Sequence, residues 1–230
     1  MTSACAPRTV VLLLGGVAAA CASGRSTVSS PTPEAAVTAT SSAEIEALYR
    51  ARQDSARMRF TEADVRFVTG MIGHHAQALI MSGLARTHGA SPALRRLAAR
   101  IINAQEDEIA LMSQWLEERG QPVPQVHIEG TRLLVHGAEH TGHMPGMLTP
   151  EQLQSIDAAR GTEFDRLFLT LMIQHHRGAV TMVHELFATD GASQGDQVFK
   201  LGSDIAADQT TEVARMEHML AEMSGGRAPR

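Results

Sequence analysis

An eleven-residue pattern that occurs twice limits the fold of this 230-residue chain more than any other feature. Residues 71–81 and residues 172–182 both read Met-Ile-x-His-His-x-x-Ala-x-x-Met. On a helix, where successive residues are rotated by about 100°, the two Met, the two His and the Ala of each copy fall within roughly a third of the circumference. Each copy therefore predicts a helix whose inner face carries two imidazoles and two thioethers, where an ordinary core face would carry Leu, Ile and Val.

The similarity between the two halves of the chain continues beyond these motifs. At an offset of 101 residues, Asp64 and Phe67 correspond to Asp165 and Phe168. At an offset of 104 residues, Gln105, Glu108, Ile109, Met112 and Leu116 correspond to Gln209, Glu212, Val213, Met216 and Leu220. Each half, residues 58–120 and 150–224, therefore predicts a pair of helices. Neither pair can bury its apolar stripe alone, so we expect an all-α, up-and-down four-helix bundle of two duplicated helix pairs, with short extra helices.

Capping residues predict where the helices begin. Thr61, Ser91 and Thr149 are good N-caps, and a proline follows the last two in the first helical position. Glycines 89 and 120 are the expected stops. One helix is predicted to begin near residue 42. The others are predicted to run from 62 to about 88, from 92 to about 116, from 150 to about 159, from 161 to about 189 and from 196 to about 223. Residues 121–148 are predicted to be irregular.

The first twenty residues have the features of an export signal. Arg8 precedes an apolar run over 10–20 that is too short to span a membrane, and small residues lead up to Cys21. This pattern resembles a lipobox, so we expect residues 1–20 to be a lipoprotein-type signal peptide. Cys21 would then carry the lipid that anchors the protein to a membrane of the cell envelope, on its periplasmic or extracellular face. The alternative is an ordinary secretory signal that leaves Cys21 as a free thiol.

Composition separates a tether and a tail from the folded domain. Residues 21–41 are rich in Ser, Thr, Pro and Ala, which predicts a disordered tether ahead of a domain over 42–224 and a tail over 225–230. The chain is 43% hydrophobic, which suits a domain with a real core, and its net charge is −5 without a basic stripe, which argues against a nucleic-acid partner. Of its two cysteines, Cys5 lies in the leader, so a metal site must use His, Met or carboxylates.

The motif side chains are the main candidate metal ligands. They are Met71, His74, His75, Met81, Met172, His175, His176 and Met182. Imidazole suits several divalent ions, and a thioether beside it favours Cu(I). The alternative is core packing, because the small Ala78 and Ala179 indicate close helix contact and Met fills irregular gaps.

Two further groups of residues could support such a site. Candidates to orient the imidazoles are Asp64, Gln105, Glu108, Met112, Asp165, Gln209, Glu212 and Met216, although helix capping is an equally open role for Asp64. Candidates for an auxiliary site, or for the first contact with an incoming ion, are His136, His140, His143, Met144 and Met147. The alternative for this second group is a flexible solvated loop. His88, His184 and His218 lie off the motif faces or at a helix end, and the sequence assigns them no role.

The sequence lacks the motifs of the common enzyme classes. No Glu is followed three residues later by His, as a ferritin-type di-iron site requires, and there is no H-E-x-x-H, phosphate-binding Gly-rich loop or G-x-S-x-G. We therefore expect no nucleotide or organic cofactor. Besides metal handling, two alternatives stay open: a structural or interaction module whose His pairs only form core hydrogen bonds, and a metal-dependent redox enzyme.

These residues resemble the bacterial domain-of-unknown-function family 305. The resemblance rests on the runs from Asp64 to Met81, from Gln105 to Leu116, over 144–147 and through the second motif, and it covers about residues 58–223. It implies a ferritin-like four-helix bundle, usually exported and often a lipoprotein, with copper binding and copper tolerance in some members. The second half departs from the first: Thr210 and Thr211 stand where the first half has Glu106 and Asp107, and Met219 replaces Trp115.

Together, the motifs and the resemblance predict an exported copper-binding protein. Its expected role is sequestration of the ion or its handover to a metal-transfer partner protein, rather than catalysis. Met and His ligands can be exchanged one at a time, which suits transfer without release. The sequence leaves the oligomeric state open.

Overall fold

Six helices and one two-stranded hairpin make up the residues that the structure, a computed structural model, describes, namely 40–137 and 144–225. The elements are α1 (Ser42–Arg57), α2 (Glu62–Leu84), α3 (Pro92–Glu117), β1 (Gln125–Glu129), β2 (Arg132–His136), α4 (Pro150–Ala158), α5 (Gly161–Phe187) and α6 (Asp196–Met223). The predicted all-α bundle of duplicated helix pairs is confirmed, with α2, α3, α5 and α6 as its four main helices.

The two motif helices lie at the centre of the bundle. Helix α2 packs against α5, α3 packs against α2, and α6 packs against α5. The apolar core forms two clusters, one around Phe164 and Phe168 and the other around Val68 and Met112. Each duplicated half thus places its His-bearing helix inside and its second helix outside.

The predicted N-caps are observed, whereas one predicted helix end is wrong. Thr61 and Asp64 form a capping box, in which the Thr61 side chain accepts from the Asp64 amide and the Asp64 carboxylate accepts from the Thr61 amide at 2.7 Å. Helix α2 ends at Leu84 rather than near His88, because the Ala85 amide already bonds the Ser82 carbonyl, three residues back. The chain then turns through Gly89 at a φ of +69°.

Two buried carboxylates tie each half of the chain to the other. The Asp64 Oδ1 atom accepts from the Ser193 amide, just before α6, at 2.7 Å, and the Asp165 carboxylate accepts from the amide of Ser91, the N-cap of α3, at 3.2 Å. Both residues were candidates for orienting an imidazole. The structure corrects this: their carboxylates hold backbone amides at helix starts, a role that the sequence offered for Asp64 alone.

We expect Asp64→Ala to lower the free energy of unfolding by about 2–3 kcal/mol, because it removes a helix cap and leaves the Ser193 amide without its acceptor. The measurement is urea unfolding followed by circular dichroism. Glu62→Ala in the same helical turn is the control, since that side chain is exposed. Equal destabilisation by the two substitutions would contradict the assignment.

The segment after α3 is not irregular throughout, as the sequence predicted, but forms an antiparallel hairpin. Val126 pairs with Val135 and Glu129 with Arg132 across a two-residue turn. Gly130 takes a φ of +63°, as the first central residue of a type II′ hairpin turn requires. The hairpin packs on α2, where the Val135 side chain lies over Gly73.

Helix α1 differs from the other helices in its exposure. Three of its large apolar side chains, Ile45, Leu48 and Tyr49, are each more than half exposed. Within the described parts of the chain, no helix is both long enough and apolar enough to cross a membrane.

Candidate metal centre

All eight motif side chains that the sequence proposed as ligands lie inside the bundle. Seven of them are fully buried and Met182 is 8% exposed. They share this environment with Met112 and Met216, which are also fully buried and belong to the apolar clusters. The residues with nitrogen and sulfur donors are therefore part of the core and are not a surface patch.

The four histidines form a polar layer between the two apolar clusters. Along α2, residues 67–72 belong to one cluster and residues 78–85 to the other, with His74 and His75 between them. Along α5 the order is reversed, since the cluster around Phe168 comes first and Ala179 opens the second. The outer helices add one buried amide each to the same level of the bundle, from Gln105 and Gln209.

The first imidazoles of the two motifs contact each other. The ring centroids of His74 and His175 are 3.9 Å apart, with the ring planes inclined by 39°. The Nε2 atom of His74 lies 3.0 Å from the carbonyl oxygen of Pro145. Because a carbonyl only accepts, this nitrogen carries the hydrogen and the Nδ1 atom of His74 carries a lone pair.

The second imidazole of each motif is held by a glutamate of the same half. The Nε2 atom of His75 donates to Glu108 at 2.7 Å, and the Nε2 atom of His176 donates to Glu212 at 2.6 Å. Both glutamates therefore contact a motif ring directly, while their role in orienting a metal-binding imidazole stays a prediction. In its neutral form, a ring in this contact carries its hydrogen on Nε2, which leaves the lone pair on Nδ1.

Several buried polar atoms of this layer have no hydrogen-bond partner among the described residues, and every ring and amide that carries them offers at least one electron pair. They are Nδ1 of His74, His75 and His176, both ring nitrogens of His175, and Oε1 of Gln105 and Gln209. A buried polar atom without a partner costs about 1–3 kcal/mol. A cluster of such atoms in one layer of a native core therefore calls for a ligand that accepts electron pairs, or for water.

The imidazoles at the centre of the layer are uncharged. Burial, followed by the neighbouring His75, lowers the pKa of His74 to about 3. Burial, followed by the neighbouring His74 and His176, lowers the pKa of His175 well below its ordinary value. Both rings therefore stay neutral at physiological pH, which is the state in which imidazole binds a metal.

The side chains of the histidine layer are not arranged around a single point as the ligands of a metal ion would be. Among the residues that the structure describes, no three His, Cys, Asp or Glu side chains form a group that could hold an ion. The neutral nitrogens fit a soft or borderline cation, and the buried thioethers of the motifs supply the remaining soft donors. Binding would therefore require thioether ligands, rotation of imidazoles, or both.

The seam between the two outer helices is acidic directly beside this layer. Burial, and then the carboxylates of Glu108, Glu212 and Asp204, raise the pKa of Asp208. The side chains of Glu108 and Glu212 are 13% and 21% exposed while their carboxylates bond the buried imidazoles. Each of these glutamates therefore connects the solvent with a ring of the layer, and the seam attracts cations.

The auxiliary residues proposed from the sequence are only partly brought to this layer. Met144 is half-buried against Gly70 and Gly73 of α2, Met147 is half-buried in the same segment, and His136 is exposed at the end of β2. His140, His143 and the proposed lipidation site Cys21 lie outside the described residues. Of the histidines without a predicted role, His88 is 5% exposed and bonds Asp157, so it joins the turn after α2 to α4.

Sequence reasoning missed three contributors to this layer, namely the Pro145 carbonyl, Gln77 and Gly178. Gln77 exchanges two hydrogen bonds with the backbone of Leu148, and Gly178 lies against Pro145 and Gly146. The sequence held one sign of the last two contributors: positions 77 and 178 are equivalent in the two motif copies but carry different residues.

Comparisons with known proteins show one matching family and several similar solved structures. The family described as "domain of unknown function (DUF305)" matches residues 64–223. No curated protein matches the chain. Among solved structures, a DUF305 protein from Streptomyces coelicolor is similar at 26% identity with a TM-score of 0.59, covering 73% of this chain and 96% of its own.

Two other similar structures extend this result. A DUF305 fragment from Deinococcus radiodurans is 29% identical with a TM-score of 0.58, covering 71% of this chain and 98% of its own. CopM in the Cu(I)-bound form is 28% identical with a TM-score of 0.52, covering 69% of this chain and 96% of its own. CopM has also been solved in Cu(II)-bound and Ag-bound forms.

Proposed function

We propose that this chain, which belongs to the DUF305 family, binds copper in its histidine layer and sequesters the ion or hands it to a partner protein. The observation that carries the proposal is the set of unpartnered, buried electron-pair donors centred on His74 and His175. A monovalent soft cation would accept these electron pairs without charge repulsion from His74 and His175, since both of these rings are neutral. The Cu- and Ag-bound forms of CopM support the same class of ion.

The donor set favours holding and passing on an ion over catalysis. Imidazole nitrogens and thioether sulfurs bind Cu(I) without a charged ligand, and they can be replaced one at a time by the ligands of a second protein. The acidic seam would concentrate cations beside the layer, with Glu108 and Glu212 in contact with the rings.

Export to the cell envelope and lipidation at Cys21 complete the proposal. They rest on the leader sequence, because these residues lie outside the described part of the chain. A metal-transfer partner would meet the domain in the same compartment. The anchor is tested by mass spectrometry of the membrane fraction, where a diacylated Cys21 at the N terminus is the expected product.

A structural module is the second candidate, and one observation favours it. Two of the four imidazoles already donate to glutamates, as a purely structural histidine layer would require. In that case buried water would satisfy the remaining nitrogens. The two candidates differ in whether the layer binds an ion.

The deciding experiment is an Ag(I) and Cu(I) titration of the full chain against a competing chelator. We expect His74→Leu/His175→Leu to weaken binding at least about a hundredfold, beyond the roughly ten- to hundredfold typical of residues that only orient a ligand. His184→Leu on the same helix is the matched control, because His184 is exposed. Circular dichroism establishes that each variant is folded.

The other outcomes assign the function differently. Unchanged affinity in the double variant would move any copper site away from the layer, with residues 136–147 as the next candidate. Absence of binding by the unaltered chain would reject copper handling and leave the structural module.

A further inference from the structure

A short segment of chain lies across both motif helices beside the histidine layer. Residues 144–148, named the strap here, bond α2 at two positions. The His74 imidazole donates to the Pro145 carbonyl at 3.0 Å. The Gln77 side chain accepts from the Leu148 amide at 2.7 Å and donates to the Leu148 carbonyl at 3.1 Å.

On α5 the strap is in direct contact with the helix backbone. A Cβ atom at Gly178 would lie 2.5 Å from the Gly146 Cα atom and closer still to the Pro145 oxygen. Gly146 itself has a φ of +78°, and a Cβ atom there would lie 2.9 Å from the carbonyl oxygen of His175. Only glycine at both positions allows so close an approach.

Two of the five pairs of positions at which the motif copies differ lie at the strap. Gln77 and Gly178 are equivalent, and one bonds the strap while the other makes room for it. One turn earlier, Gly73 lies under Val135 and Met144, whereas its equivalent Gln174 donates to the Gly146 carbonyl at 3.4 Å. At these two pairs of positions each copy is adapted to the strap in its own way, while the His and Met residues of the two copies are the same.

We propose that the strap is a removable cover that positions His74 and closes the His74–His175 pair, so that an ion reaches or leaves this pair only when the strap lifts. This proposal rests on the proposed function. With the strap seated, the Pro145 carbonyl keeps the hydrogen of His74 on Nε2 and the lone pair on Nδ1. With the strap lifted, both rings lose their cover, and His74 is free to change tautomer and rotate.

The test uses three full-chain variants. Gly178→Ala prevents the strap from seating, and Gln77→Met removes both bonds to Leu148 at similar volume. Gly83→Ala is the matched control, because it is the same substitution in a helix where a Cβ atom meets nothing within 4 Å. Two rates are measured: carbethoxylation of each histidine in the metal-free protein, by peptide mass spectrometry, and transfer of bound Ag(I) to a chelator.

We expect both rates to rise roughly tenfold in Gly178→Ala and in Gln77→Met, the size expected when one or two hydrogen bonds are lost, and to stay unchanged in Gly83→Ala. Carbethoxylation should rise at His74 and His175 but not at the exposed His184. Exchange of the Leu148 amide with deuterium reports independently that the strap has been released. If Gly178→Ala does not fold, Gln77→Met alone decides the result.

Two results would overturn the proposal, and they are distinguishable. If the Leu148 amide exchanges faster while His74, His175 and Ag(I) transfer are unchanged, the strap is not a cover, whereas the proposed function stands. If the unaltered chain binds no Ag(I), the proposed function fails and the gating of an ion fails with it, even where carbethoxylation is faster.

Discussion

Metal-free protein is expected to lose stability steeply as the pH falls from about 6.5 towards 3. In the folded state the pKa of His74 is lowered to about 3, and that of His175 is also well below the ordinary value of 6.5. At pH values between the folded and the unfolded pKa of these groups, the unfolded chain binds more protons than the folded one. The free energy of unfolding therefore decreases as the pH decreases. Each of the two histidines contributes up to about 1.4 kcal/mol per pH unit.

Urea unfolding of the metal-free protein at pH 7, 6, 5 and 4 measures this dependence. His74→Leu/His175→Leu should flatten the slope below pH 6.5, because the two rings that must stay neutral are gone. The exposed His184 provides the control through His184→Leu, which should keep the wild-type slope. The same slope in all three proteins would show that these two rings do not control acid stability.

Removing the glutamates that hold the second imidazoles is expected to weaken ion binding strongly. Glu108→Ala leaves the Nε2 hydrogen of the buried His75 without its acceptor and allows the ring to change tautomer. Loss of such an orienting partner typically costs roughly 10–100-fold in metal affinity. Glu212→Ala should act in the same way through His176.

The matched control is Glu108→Gln, because its amide oxygen can still accept from His75 at nearly the same volume. We expect this variant to bind Ag(I) within about threefold of the unaltered chain, an energy difference well below that of a lost hydrogen bond. If Gln and Ala weaken binding equally, the negative charge of Glu108 matters and its hydrogen bond does not. If neither substitution weakens binding, His75 does not bind the ion.

The duplication made most of the fold predictable. Because the motif helices, the N-caps at Thr61 and Ser91 and the second helices all follow local patterns of spacing, the sequence indicates the bundle and its core directly. That the Glu108 carboxylate bonds an imidazole was also predictable, since a carboxylate on an inner helix face needs a buried partner, but the choice of His75 was not.

The parts that the sequence did not predict depend on contacts between segments far apart in the chain. The hairpin over 125–136 has only short alternating stretches, and its turn needs a single glycine, Gly130. His88 stands at a helix end with no pattern around it, and only the fold brings it to Asp157. The contact of the strap with Gly178 likewise depends on how the strap crosses α5, which helical periodicity does not describe.

The contact between His74 and His175 has a consequence for the symmetry of the molecule. Equivalent residues of two repeats touch each other only near the pseudo-twofold axis that relates the repeats, and the reciprocal bonds of Asp64 and Asp165 have the form of an isologous interface. In a homodimer of one half, both central imidazoles would have identical surroundings. Fusion into one chain removes that constraint, so His74 is fixed by a carbonyl while His175 stays without a partner among the described residues. A single polypeptide can thus combine one fixed and one adaptable donor on its axis, which a symmetric dimer cannot do.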